Sequence, residues 1–296
     1  MPPAPTGLLN IAKPPGLTSR QVVDRVQRLV RPAKAGHAGT LDPLATGVLV
    51  VCVGQATRLI EYVQRMQKTY VGEFLLGRTS DTEDSTGAVV ELVDPPLPTR
   101  AAIEAAIPKF LGTIQQRPPA YSALKIEGRR AYDLARAGEE FELASRPIEV
   151  YGIEIVSYDY PRLTLRIRCG SGTYIRSLGR DLAEAVGTGA VMSALERTEI
   201  GCFTSSAGVD ADTLTRDTLS DFLQPPSLAV ASLPQMVVSA EERKLLANGR
   251  AIVRANFAGA EAEPPAEVAA FDEAGNLTAL LAPVTRELWK PTRNFA

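Results

Sequence analysis

The sequence predicts an α+β protein built on a mixed, largely antiparallel sheet flanked by helices, with a small β-rich module at its C-terminal end. Three observations carry this. Strand-type alternation is clear where Leu163, Leu165, Ile167 and Cys169 interleave with Thr164, Arg166 and Arg168. Helical periodicity is confined to separate stretches, and the regular strand–helix–strand alternation of a parallel sheet is missing. Beyond the proline-rich stretch Gln224–Pro234, the chain turns to short strands around tight turns.

The elements follow in order. After Pro14-Pro15-Gly16, Thr18 or Ser19 caps a helix that runs to about Arg31, where Pro32 stops it. Val22, Val23, Val26, Leu29 and Val30 form its apolar face. Residues 34–47 are rich in glycine and proline and read as a structured loop feeding a buried strand, Val48–Val53. Strands at 69–76 and 88–93 flank an acidic turn, 79–87. A helix spans about 100–111, with Ile103, Ile107, Phe110 and Leu111 inward and a bend at Pro108. Residues 112–147 are basic, proline-rich and aromatic with little core periodicity, and read as an excursion from the main fold. Strands at Ile148–Tyr158 and Leu163–Cys169, a helix at Ile175–Val186, a strand at 191–200 and a short helix at 213–223 complete a domain over 1–232. Gln224–Pro234 reads as a linker. The module, 235–296, holds a helix at 239–247, an Asn248-Gly249 turn, and strands at 266–271 and 277–282 around Asp272–Asn276.

Composition narrows the chemistry. The chain has 296 residues, 45% hydrophobic and 22% charged, as expected of an ordinary globular protein. No apolar run approaches the roughly 20 residues that span a bilayer, and the first ten residues lack a signal-peptide layout, so a cytoplasmic protein is expected. Cys52, Cys169 and Cys202 lie far apart and form no C-x-x-C pair. His37 is the single histidine. No zinc-ligand spacing surrounds it, and no G-x-S-x-G elbow accompanies it. Catalysis, if present, falls to carboxylates, tyrosines and arginines, with no metal or cofactor expected.

Net charge is −2, but its distribution is uneven. Residues 1–40 carry Lys13, Arg20, Arg25, Arg28, Arg31 and Lys34 against the one acid Asp24. A second basic cluster comprises Arg117, Lys125, Arg129, Arg130 and Arg136. Local basic segments on a balanced body suit an RNA-binding face; solvated helix faces are the plainer reading.

The segment GHAGTLDPLATG, Gly36–Gly47, holds the densest set of special residues. Glycines permit close backbone approach, and Pro43 biases Asp42 toward an extended conformation. Either the loop presents a carboxylate beside an imidazole, or Asp42 caps an Asx turn and the glycines serve tight bends. A phosphate cradle would lack its Lys-Ser/Thr pair.

This segment resembles the catalytic motif of the TruB family of pseudouridine synthases, the bacterial tRNA pseudouridine-55 enzymes and their guide-RNA relatives. Further matches follow in order along the chain. Leu9–Ser19 (LNIAKPPGLTS) resembles the family's N-terminal motif and Lys68-Thr69-Tyr70 its K-x-Y strand. Gly77–Gly87 resembles its acidic turn and Pro119–Lys125 (PAYSALK) its RNA-binding insertion. Gly172–Ser177 (GTYIRS) is similar to its G-T-Y-I-R segment.

The resemblance implies the pseudouridine-synthase fold with a PUA-like C-terminal module, and the isomerisation of uridine 55 in the T-arm of tRNA. It assigns Asp42 as catalytic carboxylate, by direct attack on the anomeric carbon or by way of a glycal. Arg176 becomes its paired arginine, and Tyr70 the residue that stacks on the base and assists loss of the carbon-5 proton. Tyr174 and Leu195 would line the base pocket, and His37 would help hold bases turned out of the RNA loop. Glu196 stands where relatives carry a basic residue. Lys13, Arg129 and Arg130 are expected on the RNA backbone. The acidic turn with Asp81 and Asp84 lacks EF-hand spacing and reads as a solvated turn. The protein is expected to act alone, as a monomer, on tRNA and away from membranes. A silent RNA-binding module on the same scaffold, or a guide-RNA-dependent catalytic subunit, are the alternatives.

Overall fold

The computed structural model describes residues 4–122, 125–126, 129–130, 141, 143–254 and 263–295, except the side chains of 125–126 and 129–130. Strand β1 (Gly7–Lys13) leads through Thr18 into helix α1 (Ser19–Val30). Thr18 and Gln21 form a reciprocal capping box at its start, a feature worth about 1 kcal/mol to a helix. Val22, Val23, Val26 and Val30 are buried against β1 and β3 (Thr46–Val53), with the short β2 (Ala35–His37) on the far edge of β3.

After α2 (Ile60–Arg65) come β4 (Lys68–Leu76), β5 (Arg78–Thr79), β6 (Val90–Glu91) and α3 (Arg100–Ala106). At Ile107 the α-helix tightens into a 3-10 turn, Ile107–Phe110, because Pro108 cannot donate to the ladder. Strand β7 (Gly112–Gln116) follows. It pairs with the start of β10 (Arg146–Asp159), so both ends of the expected 112–147 excursion belong to the main sheet, and the excursion shortens to residues 117–145. Its described parts include the small ladder of β8 (Lys125–Ile126) and β9 (Arg129–Arg130). Then come β11 (Arg162–Cys169), α4 (Ile175–Ala185), β12 (Ala190–Ile200) and β13 (Phe203–Thr204).

The described residues build a nine-stranded sheet in the order β1-β3-β12-β4-β11-β10-β7, with β2 on β3 and β13 on β12. Only β3 and β12 run parallel, joined by Glu196 opposite Thr46 and Arg197 opposite Gly47. This is the mixed, largely antiparallel sheet that alternation predicts. The parallel seam is short, and the loop from His37 to Thr46 lies at its open end. Gly47 makes the seam possible: a Cβ there would stand 2.3 Å from the Arg197 carbonyl oxygen. Helices α3 and α4 cover one face of the β4–β12 half. Gly179 lets α4 seat closely, since a Cβ would fall 2.0 Å from the Phe74 ring.

Two expectations at the domain junction change. Only one turn of helix, α5 (Leu219–Phe222), forms within 213–223. Gln224–Pro234 is no loose linker: Gln224 bridges to Leu8, and the 3-10 turn Pro226–Val230 buries Ala229 and Val230. The C-terminal module holds β14 (Gln235–Val237), α6 (Ala240–Ala247), β15 (Ile252–Val253), β16 (Val268–Phe271), β17 (Leu277–Pro283) and β18 (Leu288–Asn294). These five strands form a second sheet, β14-β16-β17-β18-β15. Ala269, Phe271, Leu277 and Leu280 share an apolar core with Leu8, Val48, Leu59 and Val63 of the large domain. Around that contact Arg293 donates to Glu61 and Tyr62, and Arg58 to the Asn294 carbonyl. The module is therefore packed on the large domain by apolar and charged contacts together. No helix among the described residues is long and apolar enough to cross a membrane.

Candidate active site

Asp42 sits on a loop fastened on both sides of it. Ser19 Oγ accepts from the Leu41 amide at 2.9 Å and donates to the Leu41 carbonyl at 3.2 Å. On the other side the Pro43 carbonyl accepts from the Gly16 amide at 2.8 Å and from Lys13 Nζ at 3.2 Å. The Asp42 carbonyl accepts from the Ala45 amide at 3.0 Å. Its side chain is about one-third exposed, so the carboxylate is held rigidly yet reachable.

Arg176, on the first turn of α4 and 5% exposed, meets that carboxylate with two nitrogens. Nε lies 2.9 Å from Oδ2, and Nη2 lies 3.2 Å from Oδ1. The remaining donors reach the Thr82 carbonyl at 2.7 Å and the Tyr121 carbonyl at 3.2 Å. Forked, charge-assisted pairing fixes angle as well as distance.

The acidic turn lies directly behind Arg176. Asp81 is exposed, as a solvated turn requires, but Asp84 is not, contrary to the reading from sequence. Asp84 is 4% exposed, with Oδ2 3.7 Å from Arg176 Nη1. Its Oδ1 accepts from the Thr82 hydroxyl, the Thr86 amide and the Thr86 hydroxyl. Glu83 accepts from Ser177 at 2.6 Å and from Arg180; burial pushes its carboxyl up, against the pull of those partners. Threonines and serines interleaved with acids make this turn read as polar and exposed; Arg176, Ser177 and Arg180 of α4 draw Glu83 and Asp84 inward.

Tyr70 on β4 is buried beside this pair, in one apolar cluster with Leu41, Ala45, Ile175 and Leu195. Burial raises its phenol, while the neighbouring Arg197 guanidinium works the other way. Leu195 pairs with Gly72, whose missing side chain leaves room for Leu195 and the Phe74 ring. Tyr174 precedes α4, its backbone clamped by Gln116, whose amide both donates to its carbonyl and accepts from its N–H at 2.9 Å. The Arg146 guanidinium lies 5.1 Å from the Tyr174 ring centre, a cation–π distance.

Asp42, Arg176, Tyr70 and Leu195 thus converge, with Tyr174 two residues before Arg176 and its ring against Arg146. His37 ends β2, and no described hydrogen bond joins it to Asp42. Its Nδ1 is buried without a hydrogen-bond partner, and burial, then Arg197, lowers its pKa. Lys13 is not where an RNA-backbone contact would be. It is 1% exposed, and Nζ donates to the carbonyls of Pro14, Leu17 and Pro43. A long cationic side chain next to prolines reads as surface charge, whereas here it serves as an internal strut; burial pulls its ammonium down to about 8, against the attraction of Asp42. The side chains of Arg129 and Arg130 lie outside the described residues. Sequence reasoning missed Arg197, Gln116 and Glu83 and gave Ser19 and Asp84 other roles; Arg197 stands among Glu196, Thr198 and Glu199, so nothing in its neighbourhood marked it as buried.

Residues 27–175 match the model of the TruB family pseudouridylate synthase N-terminal domain. The chain belongs to the TruB family. A tRNA pseudouridine synthase B of Dehalococcoides mccartyi is 41% identical over 98% of this chain and 96% of its own length. Those of Rhodopirellula baltica and Caulobacter vibrioides are 37% and 41% identical, covering 91% and 84% of this chain and 82% of each relative. Among solved structures, the Cbf5-Nop10-Gar1 complex contains a chain with TM-score 0.70 and 28% identity, covering 93% of this chain and 78% of that one. A chain of an archaeal box H/ACA Nop10-Cbf5 complex gives 0.72 and 26%, covering 98% and 86%. The motifs that suggested the TruB family in the sequence are those that assemble around Asp42.

Proposed function

We propose that this TruB-family protein isomerises uridine 55 in the T-arm of tRNA to pseudouridine, alone and without a guide RNA, with Asp42 as its catalytic carboxylate. The observation that carries this is the two-point Asp42–Arg176 contact beside the buried Tyr70. The bacterial relatives named above, matched along 82–96% of their length, bear the name of tRNA pseudouridine synthase B.

The reaction breaks the bond from C1′ to N1, turns the uracil, joins C1′ to C5, and moves a proton from C5 while N1 gains one. Asp42 attacks C1′, or removes the C2′ proton to give a glycal; either needs an ionised, oriented carboxylate. Arg176 supplies the orientation. Tyr70, Tyr174 and Leu195 wall the pocket that takes a base turned out of its stack. The Tyr70 hydroxyl assists loss of the C5 proton, and His37 holds neighbouring bases open. Backbone affinity comes from the cluster that includes Arg129 and Arg130, with Lys13 reassigned to holding the loop. The protein works in the cytoplasm as a monomer.

The test is incubation of purified protein with an unmodified tRNA transcript, followed by mapping of pseudouridine. One modified site, at position 55, is expected. No pseudouridine would favour a silent RNA-binding module; formation only with added guide RNA and partner proteins would favour the guide-dependent reading.

A further inference from the structure

Arg197 is among the largest fully buried side chains in the protein, at 1% exposed. Among the described residues no carboxylate forms an ion pair with it. Its hydrogen bonds go instead to backbone carbonyls of the catalytic loop: Nε to Val48 at 2.8 Å, Nη2 to Gly39 at 3.2 Å, and Nη1 to Thr40 at 3.5 Å. Gly39 and Thr40 precede Asp42, and Val48 follows it. One guanidinium therefore spans both ends of the loop that presents the carboxylate. The backbone of Arg197 faces Gly47 across the parallel seam, so the brace and the seam lock the same segment.

Arg197 also pairs across the antiparallel ladder with Tyr70, and stands two residues beyond Leu195 on the same face of β12. A buried cation without a carboxylate is costly to the fold unless its donors are filled. Here carbonyls fill them, and the charge faces the phenol that burial alone would push further up.

Resting on the function proposed above, we propose that Arg197 is a positioning residue of the site, which ties the two ends of the Gly39–Val48 segment so that Asp42 is delivered to the sugar in one geometry, from a place directly across the ladder from Tyr70. It touches neither sugar nor base and acts through Asp42 and Tyr70. Misplacing a reacting group by about 1 Å costs on the order of 10²-fold in rate, which sets the expected effect.

The experiment compares the parent, Arg197→Met, Arg197→Lys and Asp42→Asn. Three readouts are taken: single-turnover pseudouridine formation at saturating tRNA, tRNA affinity, and hydrogen–deuterium exchange of amides 38–48. For Arg197→Met the rate should fall about 10²-fold with affinity within about threefold of the parent. The Leu41 amide should exchange about tenfold faster, as local opening becomes easier. Arg197→Lys keeps the charge but not the three-carbonyl span, so it should recover only part of the rate. Asp42→Asn should leave loop exchange unchanged. A folded Arg197→Met with parental rate and exchange overturns the proposal, as does a loss of rate that only tracks lost affinity. If Arg197→Met does not fold, Arg197→Lys decides, and a parental rate there overturns it equally. An inactive parent would sink the functional reading alone, because loop exchange still judges the brace.

Discussion

Replacing Arg176 by lysine and by methionine separates what its fork does for Asp42 from what its charge does for the fold. The guanidinium places two nitrogens on the Asp42 carboxylate, at 2.9 and 3.2 Å, and a third donor on the Thr82 carbonyl at 2.7 Å. An ammonium is a point donor on a flexible stem and cannot meet all three. One lost charge-assisted bond is worth about 1.5–3 kcal/mol. At about 1.4 kcal/mol per decade, Arg176→Lys should slow the chemical step roughly 10- to 10²-fold. Methionine removes the charge as well and strands Asp84, buried at 4% exposure. Removing one partner of a buried pair costs about 3–5 kcal/mol. At about 2–4 °C per kcal/mol for a domain of this size, that is roughly 6–20 °C in Tm. Adding Asp84→Asn removes the stranded charge, so the double variant should be more stable than Arg176→Met alone. Tritium release from carbon 5 of labelled uracil in tRNA measures the rate, and thermal melts measure stability. A parental rate in Arg176→Lys, or a double variant no more stable than Arg176→Met, refutes the reasoning.

Tyr70→Phe keeps the ring in its apolar cluster and deletes the hydroxyl, so turnover should fall by roughly 10²–10⁴; a variant as active as the parent reduces Tyr70 to packing. Lys13 should leave a signature in stability against pH. Its ammonium is pulled from 10.5 to about 8 in the folded protein, so between those values the unfolded chain binds more protons and the Lys13 contribution rises with pH. The stability of the parent relative to Lys13→Met, from urea melts, should therefore increase from pH 8 to 10.5; a constant difference contradicts the burial argument. Arg129→Ala with Arg130→Ala should weaken tRNA binding and flatten the log-affinity against log-salt slope by up to about two units, at about 0.7–0.9 per phosphate contact. An unchanged slope would make that segment a passive loop.

Much of this was legible because local signals and tertiary demands agree. Thr18, the valine face and Pro32 bound α1, and alternation marks β11 because one face meets solvent and the other the core. Asp42, Tyr70 and Arg176 were visible as family motifs, and the fold brings them together from three separate segments. What stayed hidden is burial of charge. Lys13, Lys68, Asp84 and Arg197 are polar letters in the sequence, yet each lies inside, satisfied by carbonyls or by a partner far along the chain. No periodicity distinguishes a buried lysine from an exposed one, since only the positions of the accepting carbonyls decide it. The proline stretch at 224–234 misled in the same way, because its prolines shape a buried 3-10 turn as readily as a linker.

The central claim is that Asp42 performs the chemistry at the sugar and that Arg176 and the fastened loop only orient it. Asp42→Asn changes one oxygen for an amide nitrogen at a loop fastened through Ser19, Gly16 and Lys13, none of which touches the side chain. The direct measurement is pseudouridine content of tRNA after prolonged incubation with this variant at stoichiometric concentration, alongside its tRNA affinity and melting temperature. The account predicts no detectable pseudouridine, with affinity and folding close to the parent. Turnover within about tenfold of the parent would contradict it, since loss of the nucleophile or base cannot leave the chemical step nearly intact.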